Sequence, residues 1–307
     1  MNEKHSRNTA ASVRQRLLNL ARERGMDFGL MLTNFAIERF LYRLSVSPHE
    51  NGFVVKGAVL FRVWSNESFR PTRDLDMLAF GSSALAQVGN TVREICEIIC
   101  EEDGVVFSSE SVRAEEIREA DEYDGVRVRL VAYLDGARIP VQIDIGFGDV
   151  VFPAPVTIDY PVLLDLPAPH LRSYPMESVI SEKFLAMVTL GMANSRLKDY
   201  FDIYKLAKTF EFDGALLSSA IRATFDRRGI AVPDIAPPAL DAEFFESRTK
   251  LEQWQAFVDR AGLTSVDNDL AEIVGLLRAF LLPPMLSAYR NETFTARWLP
   301  VSGWAGK

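Results

Sequence analysis

Phe53-Val-Val-Lys-Gly-Ala-Val-Leu60 and, a little further on, Arg70-Pro-Thr-Arg-Asp-Leu-Asp-Met-Leu78 decide how this chain is read. In the second stretch two aspartates stand one residue apart within a run that reads as a strand. Side chains alternate faces along a strand, so Asp74 and Asp76 point the same way while Leu75 and Met77 turn into the core. Two carboxylates converging on one side repel each other unless a cation lies between them. A divalent metal is the usual answer, and Mg²⁺ in particular is commonly held by one or two carboxylates together with substrate phosphates. Alone, such a pair is also common at strand ends and in solvated loops. Its surroundings add weight: Lys56-Gly57-Ala58 forms a strand-to-helix turn that can offer backbone N–H groups to a phosphate, and Arg70, Thr72 and Arg73 bring further donors. Metal-dependent chemistry on a nucleotide is the expectation.

Working outward, apolar residues at helical spacing over 12–43, broken near Gly25 and Gly29, predict two leading helices. Residues 53–55 are a short strand, Gly57 turns the chain, 58–64 begin a helix, and a polar loop over 65–72 leads into a strand over 74–80. A helix over 84–100 follows, then strands at 105–107, 125–133 and 140–145, the middle one alternating through Val126, Val128 and Leu130. Residues 152–175 are proline-dense, lack a helical period and read as an irregular connection. From Met176 the pattern turns helical, over 177–190, 196–209, 213–226, 244–261 and 267–283. Residues 295–307 read as a loosely packed tail. The expected class is α+β: a mixed sheet flanked by helices over residues 1–160, then a mainly helical bundle over residues 161–307.

With 307 residues, 48% hydrophobic and 25% charged, the composition is that of a globular protein rather than a disordered one. The net charge of −8 argues against broad, non-specific attachment to nucleic acid, so a nucleic-acid substrate requires a local basic patch. Arg62, Arg70, Arg73, Arg196 and Lys198 are the candidates for it. Cys96 and Cys100, read as one helical turn apart, make a disulfide framework implausible and suit a reducing cytoplasm. The apolar run 273–282 is interrupted by Gly275 and Arg278 and falls short of the roughly 20 residues a membrane span needs. Asn2 to Arg16 is too polar for a signal peptide. His5, His49 and His170 are scattered, which leaves a zinc site or a Ser-His-Asp triad little to stand on. No Gly-x-x-x-x-Gly-Lys-Ser/Thr is present, so a P-loop is not expected.

Three further acids and one lysine complete the candidates. Asp144, in Val141-Gln-Ile-Asp-Ile-Gly-Phe-Gly-Asp149, lies among apolar neighbours, where a charge is either paired, coordinated or turned to solvent from an edge strand. Asp149 reads as a loop residue. Lys183 lies among Ile180, Phe184, Leu185 and Met187, which suits a snorkelling surface side chain as well as a phosphate ligand. Asp199 and Asp202 share a helix face, and Asp199 near a helix start also suits simple capping.

Taken together these segments resemble the nucleotidyltransferase superfamily with the DNA polymerase β-like core, specifically the AbiEii/AbiGii-type toxins of toxin–antitoxin and phage-defence systems. The likeness rests on four blocks in order: Lys56-Gly57-Ala58 with Arg70-Pro-Thr72-Arg-Asp74-Leu-Asp76; Ile143-Asp144-Ile145; Ser181-Glu-Lys183-Phe-Leu-Ala186; and Arg196-Leu-Lys198-Asp199-Tyr-Phe-Asp202. It departs at Ala58, where family members carry Gly or Ser, so no hydroxyl is offered there. The resemblance implies a nucleotidyltransferase-like α/β domain followed by a helical domain that completes the cleft. It also implies that Asp74 and Asp76 hold Mg²⁺ (or Mn²⁺), that Asp144 completes the metal site or helps deprotonate the attacking hydroxyl, and that Lys183 neutralises the triphosphate. Asp199 would position Lys183 or the nucleotide. Lys56, Gly57, Ala58, Arg70, Thr72, Lys183 and Asp202 would contact the NTP. An RNA acceptor such as the 3′ end of tRNA, and an antitoxin encoded nearby, are the implied partners. Nucleotidylation of a protein or an antibiotic, and a non-catalytic nucleotide-binding module, remain alternatives.

Overall fold

The computed structural model describes residues 3–65, 70–117, 125–263 and 269–306. Parts of the expected loop over 65–72 and of the helix over 267–283 fall outside them. The chain divides into two compact units, Met1–Gly148 with Val156–Ser173, and Asp149–Pro155 with Tyr174–Lys307.

The first unit runs α1 (Glu3–Glu23), α2 (Phe28–Ser45), β1 (Phe53–Lys56), α3 (Phe61–Ser65), β2 (Asp74–Ala79), α4 (Leu85–Cys96), β3 (Val106–Ile117), β4 (Gly125–Leu134), β5 (Ala137–Phe147), β6 (Val156–Asp159) and β7 (His170–Ser173). Its seven strands form one sheet in the order β3-β4-β5-β2-β1-β7-β6. The sheet is mixed, with β2 parallel to β5 and β1 parallel to β7. Residues 152–175, expected as an irregular connection, thus contain two strands that finish the sheet. Four-residue strands separated by a proline-rich segment leave too little alternation to recognise.

Alternation explains the layering. Val126, Val128, Leu130 and Ala132 of β4 and Ile139, Val141, Ile143 and Ile145 of β5 are buried, on the side where α1, α2 and α4 pack. The odd-numbered residues of β4 and the even-numbered ones of β5 form the opposite, polar face. Asp135 and Gly136, both at positive φ, make the two-residue turn that sets the β4/β5 register. Asp27 caps α2 by accepting from the Leu30 amide at 2.8 Å, a contact worth about 1 kcal/mol. Helix α2 is buried nearly all round, and its internal charges are paired. Arg43 donates to Asp103 at 2.7 Å and to the Val105 carbonyl at 3.0 Å. Glu38 accepts from the Leu163 amide at 2.7 Å beside Arg39 at 2.9 Å. Burial outweighs Arg39 and pushes the Glu38 carboxyl up to about 7.

Helix α4 stops at Cys96, short of the predicted 100, so the two cysteines do not share a helical face. Both are free thiols, and burial pushes Cys96 up to about 12.

The second unit comprises α5 (Met176–Leu190), α6 (Leu197–Thr209), β8 (Phe212–Asp213), α7 (Gly214–Arg227), α8 (Ala242–Glu246), α9 (Arg248–Ala261), α10 (Leu270–Arg290), β9 (Arg297–Leu299) and β10 (Gly303–Ala305). Helix α10 packs on α6 and α7 and continues through Pro283 and Pro284. By length and composition it is apolar enough to cross a membrane, and half of that stretch is buried within the protein. The predicted loose tail is instead ordered. Strands β8, β9 and β10 form a small sheet, Trp298 donates to the Ala207 carbonyl at 2.7 Å, and Trp304 donates to the Phe280 carbonyl at 3.0 Å while stacking on the Phe280 ring. Both indoles are satisfied at their one polar atom, which is what permits the burial of Trp298.

Candidate active site

The first charged cluster lies at the centre of the seven-stranded sheet. Strand β2 runs between β1 and β5, and the register places Lys56 beside Asp76, Asp76 beside Asp144, Asp144 beside Arg127, and Arg127 beside Glu115. Register partners share a face, so one row crosses five strands with charges +, −, −, +, −. One step along, Asp74 pairs in register with Gln142 on the same face. Asp74 and Asp76 therefore do point the same way, with Leu75 and Met77 fully buried behind them. The sheet is interior at Asp144, which rules out the edge-strand reading.

Gly57 shapes the end of this row. It has φ +77°, and a Cβ there would lie 2.8 Å from the Cβ of Asp76. The Asp76 side chain occupies the space that any larger residue would fill, so this position requires glycine on both backbone and steric grounds. The turn leads into one 3₁₀ turn and the short α3.

Asp144 is held by a partner absent from the sequence reading. Arg127 Nε donates to Asp144 Oδ1 at 2.8 Å and Nη2 to Oδ2 at 2.7 Å, a bidentate clamp. Gln142 adds a longer contact at 3.4 Å. The hydrogen bonds to Asp144, with the Asp74 and Glu115 charges nearby, hold the Arg127 proton more firmly than usual. Arg127 was detectable in principle, since the alternation Val126-Arg-Val-Arg129 that defines β4 also puts both arginines on the polar face.

Asp74 and Asp76 fit a divalent cation of the oxygen-loving kind: two carboxylates on one strand face, one of them seated against a glycine. Asp144 adjoins them but has both oxygens on a guanidinium. Among the described residues no three His, Cys, Asp or Glu side chains are gathered as a metal cage. Arg70 and Thr72 lie in the irregular segment just before β2. Arg70 reaches the neighbouring Pro71 carbonyl at 3.5 Å and Thr72 the Asp74 carbonyl at 3.4 Å.

The second cluster belongs to the second unit. Lys183 of α5 donates to Asp199 Oδ1 at 2.5 Å and to Asp202 Oδ2 at 2.9 Å, both on α6. Lys183 is 12% exposed and the two aspartates 1% and 0%. Arg196 donates to the other Asp199 oxygen at 3.0 Å. Burial alone would raise the Asp199 carboxyl, but Lys183 and then Arg196 outweigh it and hold it below the ordinary carboxylate value. Lys183 is therefore no surface snorkeller, and Asp199 is no helix cap. Asp202 is enclosed, with its carboxylate turned onto Lys183. Behind the cluster, the buried Lys250 of α9 donates to the Asn194 carbonyl at 2.7 Å, and Asn194 Oδ1 receives the Arg196 amide at 2.8 Å. Asp149, read as a loop residue, is 5% exposed and ion-paired with Arg228.

The residues named for a basic patch divide between the two units, Arg62, Arg70 and Arg73 in the first and Arg196 and Lys198 in the second. The Arg62 guanidinium lies over the Tyr160 ring at 5.8 Å, Arg196 is committed to Asp199, and Arg73 and Lys198 are exposed. The polar sheet face instead carries Arg127 and Arg129.

No curated relative matches the sequence. Two crystal structures from Helicobacter pylori are similar in fold. One is JHP933, with 15% identity, 85% of this chain and 92% of that chain covered, and a TM-score of 0.47. The other is a candidate nucleotidyltransferase, with 16% identity, 85% and 95% covered, and a TM-score of 0.46. The sequence pattern of the AbiEii nucleotidyl transferase toxins of type IV toxin–antitoxin systems matches residues 39–275. That span takes in β1, β2, β5, α5 and α6 with both charged clusters, and the chain belongs to the AbiEii nucleotidyl transferase toxin family.

Proposed function

We propose that this chain transfers a nucleotide from an NTP to the 3′ end of an RNA, the acceptor end of tRNA being the first to test, with release of pyrophosphate. The observation that carries this reading is the cross-strand adjacency of Asp76 and Asp144, with Asp74 on the same face of β2. Asp74 and Asp76 would hold Mg²⁺ or Mn²⁺. A divalent cation at such a site offsets the charge that builds on the entering and leaving oxygens during in-line attack at a phosphorus.

The chain's own residues account for the rest. Asp144, next to that pair, accepts the proton of the attacking hydroxyl or orients it. Gly57 lets the backbone of the β1 turn lie close to Asp76, leaving the Asp76 side chain the room that a side chain at 57 would take. In the second unit Lys183 supplies positive charge for the triphosphate, and Asp199 with Asp202 fixes its ammonium. Arg127 and Arg129 lie on the same polar face, each paired with a carboxylate, Asp144 and Glu115, so an RNA phosphate would have to compete with those pairs. A cytoplasmic setting suits the two unbridged thiols, and type IV toxin–antitoxin membership supports an antitoxin partner.

The test is incubation of the purified protein with each labelled NTP, Mg²⁺ and total tRNA. RNA is expected to acquire label with the wild type and not with Asp76→Ala. Label appearing on protein or on an aminoglycoside instead would replace the acceptor assignment. If no label moves, and Asp76→Ala and the wild type are equally harmless to host cells, the toxin reading fails.

A further inference from the structure

Two adjacent carboxylates in the middle of a sheet need positive charge nearby, and this protein supplies some of it itself. In the row across the sheet, Asp76 and Asp144 are flanked in register by Lys56 on one side and Arg127 on the other. Arg127 closes on Asp144 through two nitrogens, at 2.8 and 2.7 Å, with the pair 30% and 19% exposed. A bidentate guanidinium takes the two carboxylate oxygens in a fixed geometry. A divalent cation approaching the same oxygens then meets both a partly occupied ligand and a fixed like charge.

We infer that Arg127 is a built-in competitor for Asp144, so that a divalent cation binding beside Asp74 and Asp76 gains Asp144 as a ligand only by displacing the Arg127 guanidinium. The inference rests on the metal-binding role proposed for Asp74 and Asp76. The exchange breaks no covalent bond: Asp144 trades one cation for another, and the guanidinium keeps its proton. Because the pair is partly solvated, the released guanidinium can turn to water or to a phosphate, the other oxyanion that its planar fork recognises bidentately. Arg127 thereby lowers the affinity of the empty site for metal alone and favours cation arriving together with a phosphate that receives the arginine. Lys56, on the other side of the two carboxylates, lies beside Asp76 in register.

The test uses Mn²⁺ alone as the probe, binding being read by electron paramagnetic resonance or calorimetry on the full chain without nucleotide. Arg127→Gln, which keeps length and removes charge, is expected to bind Mn²⁺ roughly tenfold tighter, the order that loss of one nearby like charge implies at a partly solvated site. Arg127→Lys, which keeps charge and loses the fork, is expected to fall between. In an Asp144→Asn background the Arg127→Gln gain is expected to vanish, because the contested ligand is gone. Thermal melting of each variant without metal checks that it is folded, and Arg127→Lys serves if Arg127→Gln is not. Wild-type binding with unchanged or weaker Mn²⁺ affinity in Arg127→Gln overturns the competition. Absence of Mn²⁺ binding in every variant overturns both the competition and the metal-site reading, whereas loss confined to Asp74→Asn and Asp76→Asn supports the latter separately.

Discussion

The two charged clusters of this protein are built on opposite principles. The row Lys56, Asp76, Asp144, Arg127 lies on a sheet face, partly solvated, with its charges spread over neighbouring strands. The set Lys183, Asp199, Asp202 is closed between two helices, each aspartate bonded directly to the lysine, and is almost out of reach of water. An ion pair in solvent costs little to exchange, whereas a buried one is held by the penalty of leaving either partner alone. The first cluster is therefore suited to taking up and releasing a cation, and the second to holding one ammonium in a fixed place.

The contrast breaks most readily at Lys183. Lys183→Met takes the ammonium away from two buried carboxylates and leaves Asp199 with Arg196 alone of its two ion-pair partners, and is expected to cost about 3–5 kcal/mol of stability by urea unfolding. Arg127→Gln, removing a partly exposed partner, is expected to cost no more than about 1 kcal/mol. Equal losses would show that the two clusters do not differ as described.

Asp76→Asn reverses the pattern: activity is expected to fall on the order of 10²–10³-fold, as when one preorganised electrostatic contact to a transition state is lost, with stability nearly unchanged. A label-transfer time course paired with a melting curve reads both.

Acidity sharpens the comparison, because two buried carboxyls shift in opposite directions. Asp199 touches two cations and lies below its ordinary value of 3.8. The stability it contributes is present above that value and is lost as pH falls through its lowered folded-state value. Glu38 touches one cation, and burial raises it from 4.5 to about 7. The folded state then holds a proton that the unfolded chain has released, so stability falls as pH rises from 4.5 towards 7. The loss is on the order of 3 kcal/mol. Urea midpoints measured across that range are expected to decline in the wild type and to decline less steeply in Glu38→Gln, where Glu177, also raised by burial, remains.

Gly57 couples stability to activity. Gly57→Ala places a methyl against Asp76 at a φ of +77°, costing about 1–3 kcal/mol. Activity should drop further than stability does, since the displaced side chain is Asp76. A variant with full transfer activity would remove Gly57 from the account.

Much of this was legible in the chain. The alternation of β4, the Asp-x-Asp of β2 and the order of Asp144, Lys183 and Asp199 are local patterns, and they fixed the mixed sheet, the helical second half and the candidate residues. What escaped was non-local. The partner of Asp144 stands 17 residues earlier across a hairpin, and only the register identifies it. That Lys183 is buried, rather than a snorkelling surface lysine, depends on α6 closing over it, which no spacing within α5 reveals. The tail escaped because its two short strands gain stability from Phe280 and Ala207 rather than from their own periodicity.

The most direct test of nucleotidyl transfer uses one NTP labelled in parallel at the α- and the γ-phosphate, with Mg²⁺ and total tRNA. The account predicts that the α label becomes covalently joined to RNA while the γ label leaves as pyrophosphate, and that both changes disappear in Asp76→Asn. Transfer of the γ label, or α labelling that persists in Asp76→Asn, would contradict it.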